Sequence, residues 1–383
     1  MRICLVYDCL FPYTVGGAER WYRNLAERLG AQGHEVTYLT LRQWERGERG
    51  QVPGVDVVAV GPRLRLYANP GRRRILPPIV FGLGVLWHLL RPNSRYDVVH
   101  TASFPYFSLL AAGLARPLRG HRLVVDWFEV WSRDYWREYL GPLGGRIGQA
   151  VQALCVRIPQ RAFCFSRLHA ARLREAGVRG GVTVLEGAYA GSLEAREPRR
   201  AEPVVVFAGR HIPEKCVPDL VPALALARER IPELRGEIYG DGPDRAEVLR
   251  LRAEHGLEGA LEVPGFVSAE RVDEALERAL CLVLPSRREG YGLVVVEAFA
   301  RATPSVVVAA PDNAAVELVQ EGVNGFVARS SRPEDLADAI VRVAQAGFDL
   351  RASTARWFAE NAQRLSIGAS LETVSESYAE TRL

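Results

Sequence analysis

Short apolar runs rich in Val, Ile and Leu alternate with longer amphipathic segments along nearly the whole chain. The runs read as strands at Ile3–Tyr7, Val36–Leu41, Val55–Val60, Asp97–Thr101, Leu123–Asp126, Ala162–Phe165 and Val182–Leu185, with helices filling the gaps. Continuous apolar strands separated by amphipathic helices are the pattern of parallel sheets covered on both faces.

The pattern lapses over residues 187–203, a polar stretch rich in Gly, Arg and Pro, and then starts afresh. A second series of strands reads at Val204–Ala208, Gly236–Tyr239, Leu261–Val263, Cys281–Pro285, Ser305–Val308 and Phe326–Val327. After Ser331 the chain reads as helix to its end. The expectation is an α/β protein of two doubly wound, Rossmann-like domains: 1–186, a linker at 187–203, 204–365, and a final helix, 366–383, crossing back toward the first domain. A length of 383 residues, more than one core usually serves, agrees with two domains.

Composition changes this picture little: 48% hydrophobic and 25% charged residues describe an ordinary globular chain and exclude a disordered or disulfide-scaffold protein. The six cysteines form no C-x-x-C pair and several sit in strand-like runs, so reduced, buried thiols in a cytoplasmic protein are expected. The N-terminus, interrupted by Asp8, has no signal-peptide pattern. Charge adds more. Residues 1–198 carry 27 arginines against 16 acidic residues, whereas 199–383 carry 22 basic against 29 acidic ones, so the two halves are expected to have different partners. The chain has a single lysine, Lys215, among 48 arginines. Where Arg serves every generic positive charge, that position calls for a compact ammonium.

Ligands of open α/β sheets bind beyond the carboxyl ends of the strands, and two such domains facing each other define a cleft. After the first strand, Gly16 and Gly17 precede a helix and let backbone N–H groups approach an anion. Neither a complete G-x-G-x-x-G nor a Walker loop is present, which removes the best evidence for hydride transfer or P-loop hydrolysis. After Val204–Ala208, the string GRHIPEKC places Arg210 and Lys215 where they can grip a diphosphate. After Cys281–Pro285, SRREGYGLVVVEAF places Glu289 in a loop and Glu297 eight positions on, in the following helix. Carboxylates of this kind can accept paired hydroxyls of a sugar or ribose.

GRHIPEKC, GDGP, GFVS, SRREGYGLVVVEAFARATPSVVV and ELVQEGVNGFV, in that order, resemble the C-terminal domain of retaining, family 4 glycosyltransferases with the GT-B fold. GGAER after strand one and DVVH at Asp97–His100 extend the resemblance more loosely into the first half. The resemblance implies a nucleotide-diphosphate-sugar donor held mainly by the second domain and a glycan, lipid-linked or small-molecule acceptor held mainly by the first, with nucleic acid not among the partners. It implies that Arg210 and Lys215 neutralise the diphosphate, Glu289 binds donor-sugar hydroxyls and Glu297 the ribose. The backbone at Gly290, Tyr291, Gly292, Leu293 and Val294 completes the phosphate site, Gly240 lies with the donor, and Phe266 and Val267 border the base. Gly16 and Gly17 approach the phosphates from the opposite wall. The reaction implied is a hexosyl transfer in cell-envelope polysaccharide or glycoconjugate biosynthesis, with no cofactor and no metal.

The sequence departs from the family at three places. Phe128 stands near the position of a first-domain histidine, flanked by Asp126 and Glu129; Cys216 replaces a glycine after the lysine; and Glu186-Gly187 replaces Asn-Gly before the linker. His100, Asp126, Phe128, Glu129 and Trp131 are the candidates for the acceptor, the aromatic stretch 126–141 being a possible stacking platform for sugar rings or a packed helix edge. Arg72–Arg74 precede a sixteen-residue apolar run, Ile75–Leu90, too short and too broken by Pro and Gly to span a membrane. It is either a buried helix or an interfacial patch that would place the protein peripherally on the inner face of the membrane. Rival readings are a non-hydrolysing sugar-nucleotide epimerase and a catalytically silent sugar-nucleotide-binding protein.

Overall fold

The computed structural model describes residues 1–45, 47–66, 73–194 and 196–379. The described residues form two compact units: one takes in those up to Ala188 together with Ile367–Ala379, and the other spans Tyr189–Ser366.

In the first unit β1 (Arg2–Val6), β2 (Glu35–Leu41), β3 (Val55–Gly61), β4 (Val98–Ala102), β5 (Arg122–Trp127), β6 (Arg161–Cys164) and β7 (Val182–Val184) pair in parallel in the order β3-β2-β1-β4-β5-β6-β7. The strand order reverses between β1 and β4, which opens a crevice beyond their carboxyl ends. The helices are α1 (Gly17–Ala31), α2 (Leu76–Leu90), α3 (Phe107–Arg119), α4 (Arg133–Arg157) and α5 (Arg167–Glu175). Each buries one stripe, except that α4 is broken in two at Gly141 (φ 76). On α1 this is Trp21, Tyr22, Leu25, Ala26 and Leu29, at helical spacing. Ser132 and Ser166 start α4 and α5 by accepting the backbone N–H groups of Tyr135 and His169.

The second unit has β8 (Val204–Ala208), α6 (Val217–Arg228), β9 (Arg235–Tyr239), α7 (Arg245–Glu254), β10 (Leu261–Gly265), α8 (Ala269–Arg278), β11 (Cys281–Leu284), β12 (Arg288–Glu289), α9 (Leu293–Phe299), β13 (Ser305–Val308), β14 (Asp312–Asn313), β15 (Gly325–Ala328) and α10 (Pro333–Leu365). Its six-stranded parallel sheet runs β10-β9-β8-β11-β13-β15, with the reversal between β8 and β11. The short β12 and β14 pair apart from it, in parallel. Gly347, at φ 56, interrupts α10. A last helix, α11 (Ile367–Ala379), rejoins the first unit and packs on α1.

The stretch 187–203 is divided between the units. Gly187 donates to the Ser370 hydroxyl at 3.1 Å, while Tyr189, 4% exposed, donates its N–H to Leu365. All six cysteines are buried and unpaired. No helix among the described residues is long and apolar enough to cross a membrane.

Candidate functional site

In the second unit the strand reversal brings two loops together. The loop after β8 carries Arg210, exposed, and then a single 3-10 turn, Pro213–Lys215. The loop after β11 carries Ser286, Arg287 and, within β12, Glu289. The Lys215 ammonium donates to Glu289 Oε1, which also accepts the Ser286 hydroxyl at 2.7 Å. Glu289 is only 8% exposed. Its backbone is held by the pairing of β12 with β14, and Asn313 of β14 donates to the carbonyls of Ser286 at 2.9 Å and Val308 at 2.8 Å. The two loops are also joined by the Arg287 N–H on the Glu214 carbonyl at 3.0 Å and by Arg287 Nε, 3.2 Å from Cys216 Sγ.

Cys216 has φ 50, a left-handed conformation that costs a non-glycine residue roughly 1–2 kcal/mol. This is the physical reason a glycine suits that position. Here the side chain is buried against the Pro213 carbonyl, and burial raises its thiol pKa.

The loop after β9 lies against the loop after β8. Gly240 has φ 112, and a Cβ there would fall 1.9 Å from the Gly209 carbonyl oxygen. His211, fully buried, donates its N–H to the Asp241 carbonyl at 2.9 Å, and burial lowers its imidazole pKa. After β10, Phe266 is 75% exposed and Val267 half-buried. Gly292, at φ 95, caps α9, and a Cβ there would come within 2.7 Å of the Ala315 Cβ. Leu293 and Val294 open that helix, Gly290 and Tyr291 precede it half-buried, and Glu297 lies half-buried on its fifth position. Arg210, Lys215, Gly240, Phe266, Val267, Glu289 and Gly290–Val294 thus all stand at or just beyond carboxyl ends of β8–β11.

In the first unit Gly16 is extended, with φ −169, and Gly17 begins α1 with no atom within 4 Å of where a Cβ would stand. Neither glycine is required by its own φ; at Gly16 a Cβ would fall 2.4 Å from the Glu19 carboxylate, whereas at Gly17 it would meet open space.

The structure turns His100 and Asp126 away from the acceptor role expected of them. Both are 0% exposed. His100 Nε2 lies 2.9 Å from Asp126 Oδ1, Trp21 Nε1 donates to Asp126 Oδ2 at 2.7 Å, and His100 Nδ1 meets the Tyr378 hydroxyl of α11. These groups tie α1, β4, β5 and α11 together beneath the loops. Phe128 is half-buried and stacks on Phe165 at 4.7 Å. Trp131, half-buried, donates from Nε1 to Glu129 at 2.9 Å and packs on Phe104, Tyr135, Trp136 and Tyr139. The aromatic stretch is therefore a packed cluster with Phe128, Glu129 and Trp131 at its partly open edge.

A residue pair not foreseen is Asp8, fully buried just after β1, and Arg73, whose guanidinium pairs with it. The same guanidinium lies 5.2 Å from the Phe104 ring centre, and Arg73 N–H donates to the Tyr139 hydroxyl at 3.1 Å. The run Arg72–Arg74 is thus not a uniform surface patch: Arg73 points inward, Arg74 is exposed, and Arg72 lies outside the described residues. Asp8 was legible as a charge interrupting an apolar N-terminus, but nothing in the sequence couples it to Arg73.

Two family models together match most of the chain: Glycosyl transferase 4-like domain over residues 16–186 and Glycosyl transferases group 1 over residues 193–364. Among characterised relatives, the alpha-D-kanosaminyltransferase of Streptomyces kanamyceticus is 32% identical over 157 residues, 38% of this chain and 40% of that protein. The chain thus spans less than half the length of that relative. A D-inositol 3-phosphate glycosyltransferase of Streptomyces scabiei is 30% identical over 347 residues, 83% of this chain and 76% of that protein. Similar solved structures include sucrose-phosphate synthase from Thermosynechococcus elongatus, with TM-score 0.78 and 18% identity, covering 99% of this chain and 98% of that one. Another is Anabaena HepE in complex with UDP, with TM-score 0.73 and 19% identity, covering 99% and 100%. With its two parallel Rossmann-like sheets and both halves matched, the chain belongs to the group 1 glycosyl transferases, family 4 enzymes of the GT-B fold.

Proposed function

We propose that the protein transfers a sugar from a nucleotide-diphosphate sugar to an acceptor hydroxyl with retention at the anomeric carbon. The bond between the anomeric carbon and the β-phosphate oxygen breaks and a bond to the acceptor oxygen forms. The acceptor proton leaves with the diphosphate or to solvent. The observation that carries this reading is the meeting of Lys215 and Glu289 at the strand reversal of the second unit. A fixed ammonium beside a nearly buried carboxylate offers a cation for the departing diphosphate and an acceptor for sugar hydroxyls. Glu289 Oε2 has no protein donor among the described residues, so one oxygen is free for that role.

In this reading Arg210 joins Lys215 on the diphosphate and Glu297 takes the ribose. The backbone at Gly290–Val294 completes the phosphate contacts, and Gly240, Phe266 and Val267 border the nucleoside. The helix start at Gly16–Gly17 meets an anionic group of a substrate, and the edge formed by Phe128, Glu129 and Trp131 faces the acceptor. The rate comes from positioning and from this fixed charge, without a metal ion. The complexes of HepE with UDP and with UDP-glucose support a nucleotide-sugar donor for this fold. We also assign the first unit a peripheral membrane contact, developed below.

Thermal-shift screening against UDP, GDP, ADP and dTDP sugars identifies the donor, since a ligand of the folded state raises apparent stability by mass action. Acceptor-dependent release of the nucleotide diphosphate then tests the transfer. Epimerisation of donor without acceptor would identify an epimerase, and donor binding without release a silent binding protein.

A further inference from the structure

The strand order of the first unit decides which of its helices share a surface. The connections β3 to β4, β4 to β5 and β5 to β6 all step in one direction across the sheet, whereas β1 to β2 and β2 to β3 step in the other. Right-handed crossovers therefore place α2, α3 and α4 on one face and α1 on the opposite one.

That face is unusually apolar for one turned to solvent. Of the seventeen exposed large apolar side chains among the described residues, eleven lie between Ile75 and Leu154. Each helix presents a pair one turn apart: Leu83 and Trp87 on α2, Leu114 and Leu118 on α3, Leu143 and Ile147 on α4, from 59% to 76% exposed. The opposite flank of α2 is buried through Phe81, Val85, His88 and Leu89, so the helix is anchored in the unit and offers its outer side. Clustered exposed apolar side chains of this kind mark an interaction surface.

Charge selects the partner. Along α2, α3 and the part of α4 beyond its break at Gly141 (φ 76), the charged residues are Arg116, Arg119, Arg146 and Arg157, with no acidic residue among them. Just past α2, the Arg91 guanidinium lies 6.0 Å from the Trp87 ring centre. A second copy docking by two-fold symmetry would set these arginines against the same arginines, with few carboxylates to neutralise them. A bilayer with anionic headgroups satisfies both features, taking the leucines and Trp87 into the acyl boundary and the arginines at the phosphates. Trp is also suited to that boundary, being apolar with one polar edge.

We propose that the face formed by α2, α3 and α4 docks flat on a bilayer containing anionic lipid, with Leu83 and Trp87 inserted and Arg91 and Arg146 at the headgroups. The proposal is independent of the reaction assigned above, because its readout is binding. It moves the electrostatic contact from the Arg72–Arg74 run to the outer helices, since Arg73 is committed to Asp8.

The test is cosedimentation with mixed phosphatidylcholine–phosphatidylglycerol vesicles, with pure phosphatidylcholine as control. Binding is expected only to the mixed vesicles, weakening with added salt. Arg91→Ser and Arg146→Ser are each expected to lower the partition coefficient about fivefold. Leu83→Ser with Trp87→Ser is expected to abolish binding while leaving the melting curve of the chain in place, because both side chains face solvent. Brominated phospholipid should quench part of the tryptophan fluorescence, and Trp87→Phe should remove that quenching while retaining most of the binding. No sedimentation at low salt, unchanged binding of the Leu83/Trp87 variant, or no quenching would each overturn the proposal. So would a wild-type dimer in light scattering that the same double variant splits, which would give the face to a second copy.

Discussion

Lys215 and Glu289 lie 74 positions apart in the chain, yet the ammonium of one donates to Oε1 of the other, because β8 and β11 are neighbours in the sheet. Each side chain is held by its own loop, Lys215 by a 3-10 turn and Glu289 by the pairing of β12 with β14. Their approach is set by backbone rather than by the ion pair alone.

Lys215→Ala and Glu289→Ala are therefore expected to lower acceptor-dependent turnover by at least about a hundredfold, the scale of a lost electrostatic stabiliser of developing charge. The cost in unfolding free energy should stay within about 2 kcal/mol, since the loops keep their backbone contacts. Lys215→Arg is expected to restore little, a planar fork being a poor substitute for a compact, half-buried ammonium. Assays of nucleotide diphosphate release beside urea melts separate the two effects, and wild-type turnover in either alanine variant would remove both residues from the site. Glu297→Ala should mainly raise the Michaelis constant for the donor.

Two glycines are expected to respond in opposite ways. At Gly17 a methyl group meets open space, so Gly17→Ala should leave the melting curve unchanged and lower turnover if a substrate anion approaches that backbone. At Gly240 the methyl would overlap the Gly209 carbonyl oxygen at positive φ, so Gly240→Ala should cost about 2–4 kcal/mol of stability. Denaturant melts of the two variants, run side by side, check the contrast.

Tyr378→Phe removes the hydroxyl that meets His100 inside the first unit and leaves a buried nitrogen without its partner, at a cost of about 1–3 kcal/mol. Because the network lies beneath the loops rather than in them, turnover per folded molecule should change little. A variant as stable as the wild type would show that the contact contributes nothing to holding α11.

Stability is expected to fall on acidification below about pH 6.5, the ordinary histidine pKa. Burial pushes the His121 pKa down to about 4, and burial also lowers those of His88 and His211. Between the unfolded and folded pKa values the unfolded chain binds more protons, so each such histidine adds up to about 1.4 kcal/mol of destabilisation per pH unit as pH drops. His121→Gln, whose Nε2 can still donate to the Ala112 carbonyl that His121 Nε2 meets at 3.1 Å, should show a shallower decline in urea melts at successive pH values.

Turnover is expected to persist in excess EDTA, because in the proposed site Lys215 and Arg210 supply the fixed positive charge for the departing diphosphate. Complete loss in chelator, restored by magnesium or manganese, would show that this charge is insufficient.

The hydrophobic periodicity by itself determined the two α/β series, the helical C-terminus and the strand-end loops in which Arg210, Lys215 and Glu289 stand, because these are local patterns of burial and turn chemistry. It could not order the strands. The meeting of Lys215 with Glu289 depends on β8 lying beside β11, a pairing between distant segments that no local period encodes. The two-residue strands β12 and β14 are likewise too short to carry a period, though they hold Glu289 in place. His100 and Asp126 read as cleft residues because they lie near strand ends, but Tyr378 arrives from α11, 278 positions on, and helps to bury them. Arg73 reads as part of a basic run, and only its pairing with Asp8 turns it inward. Burial of a charge depends on which partner the folded chain brings to it, and that partner is chosen by topology.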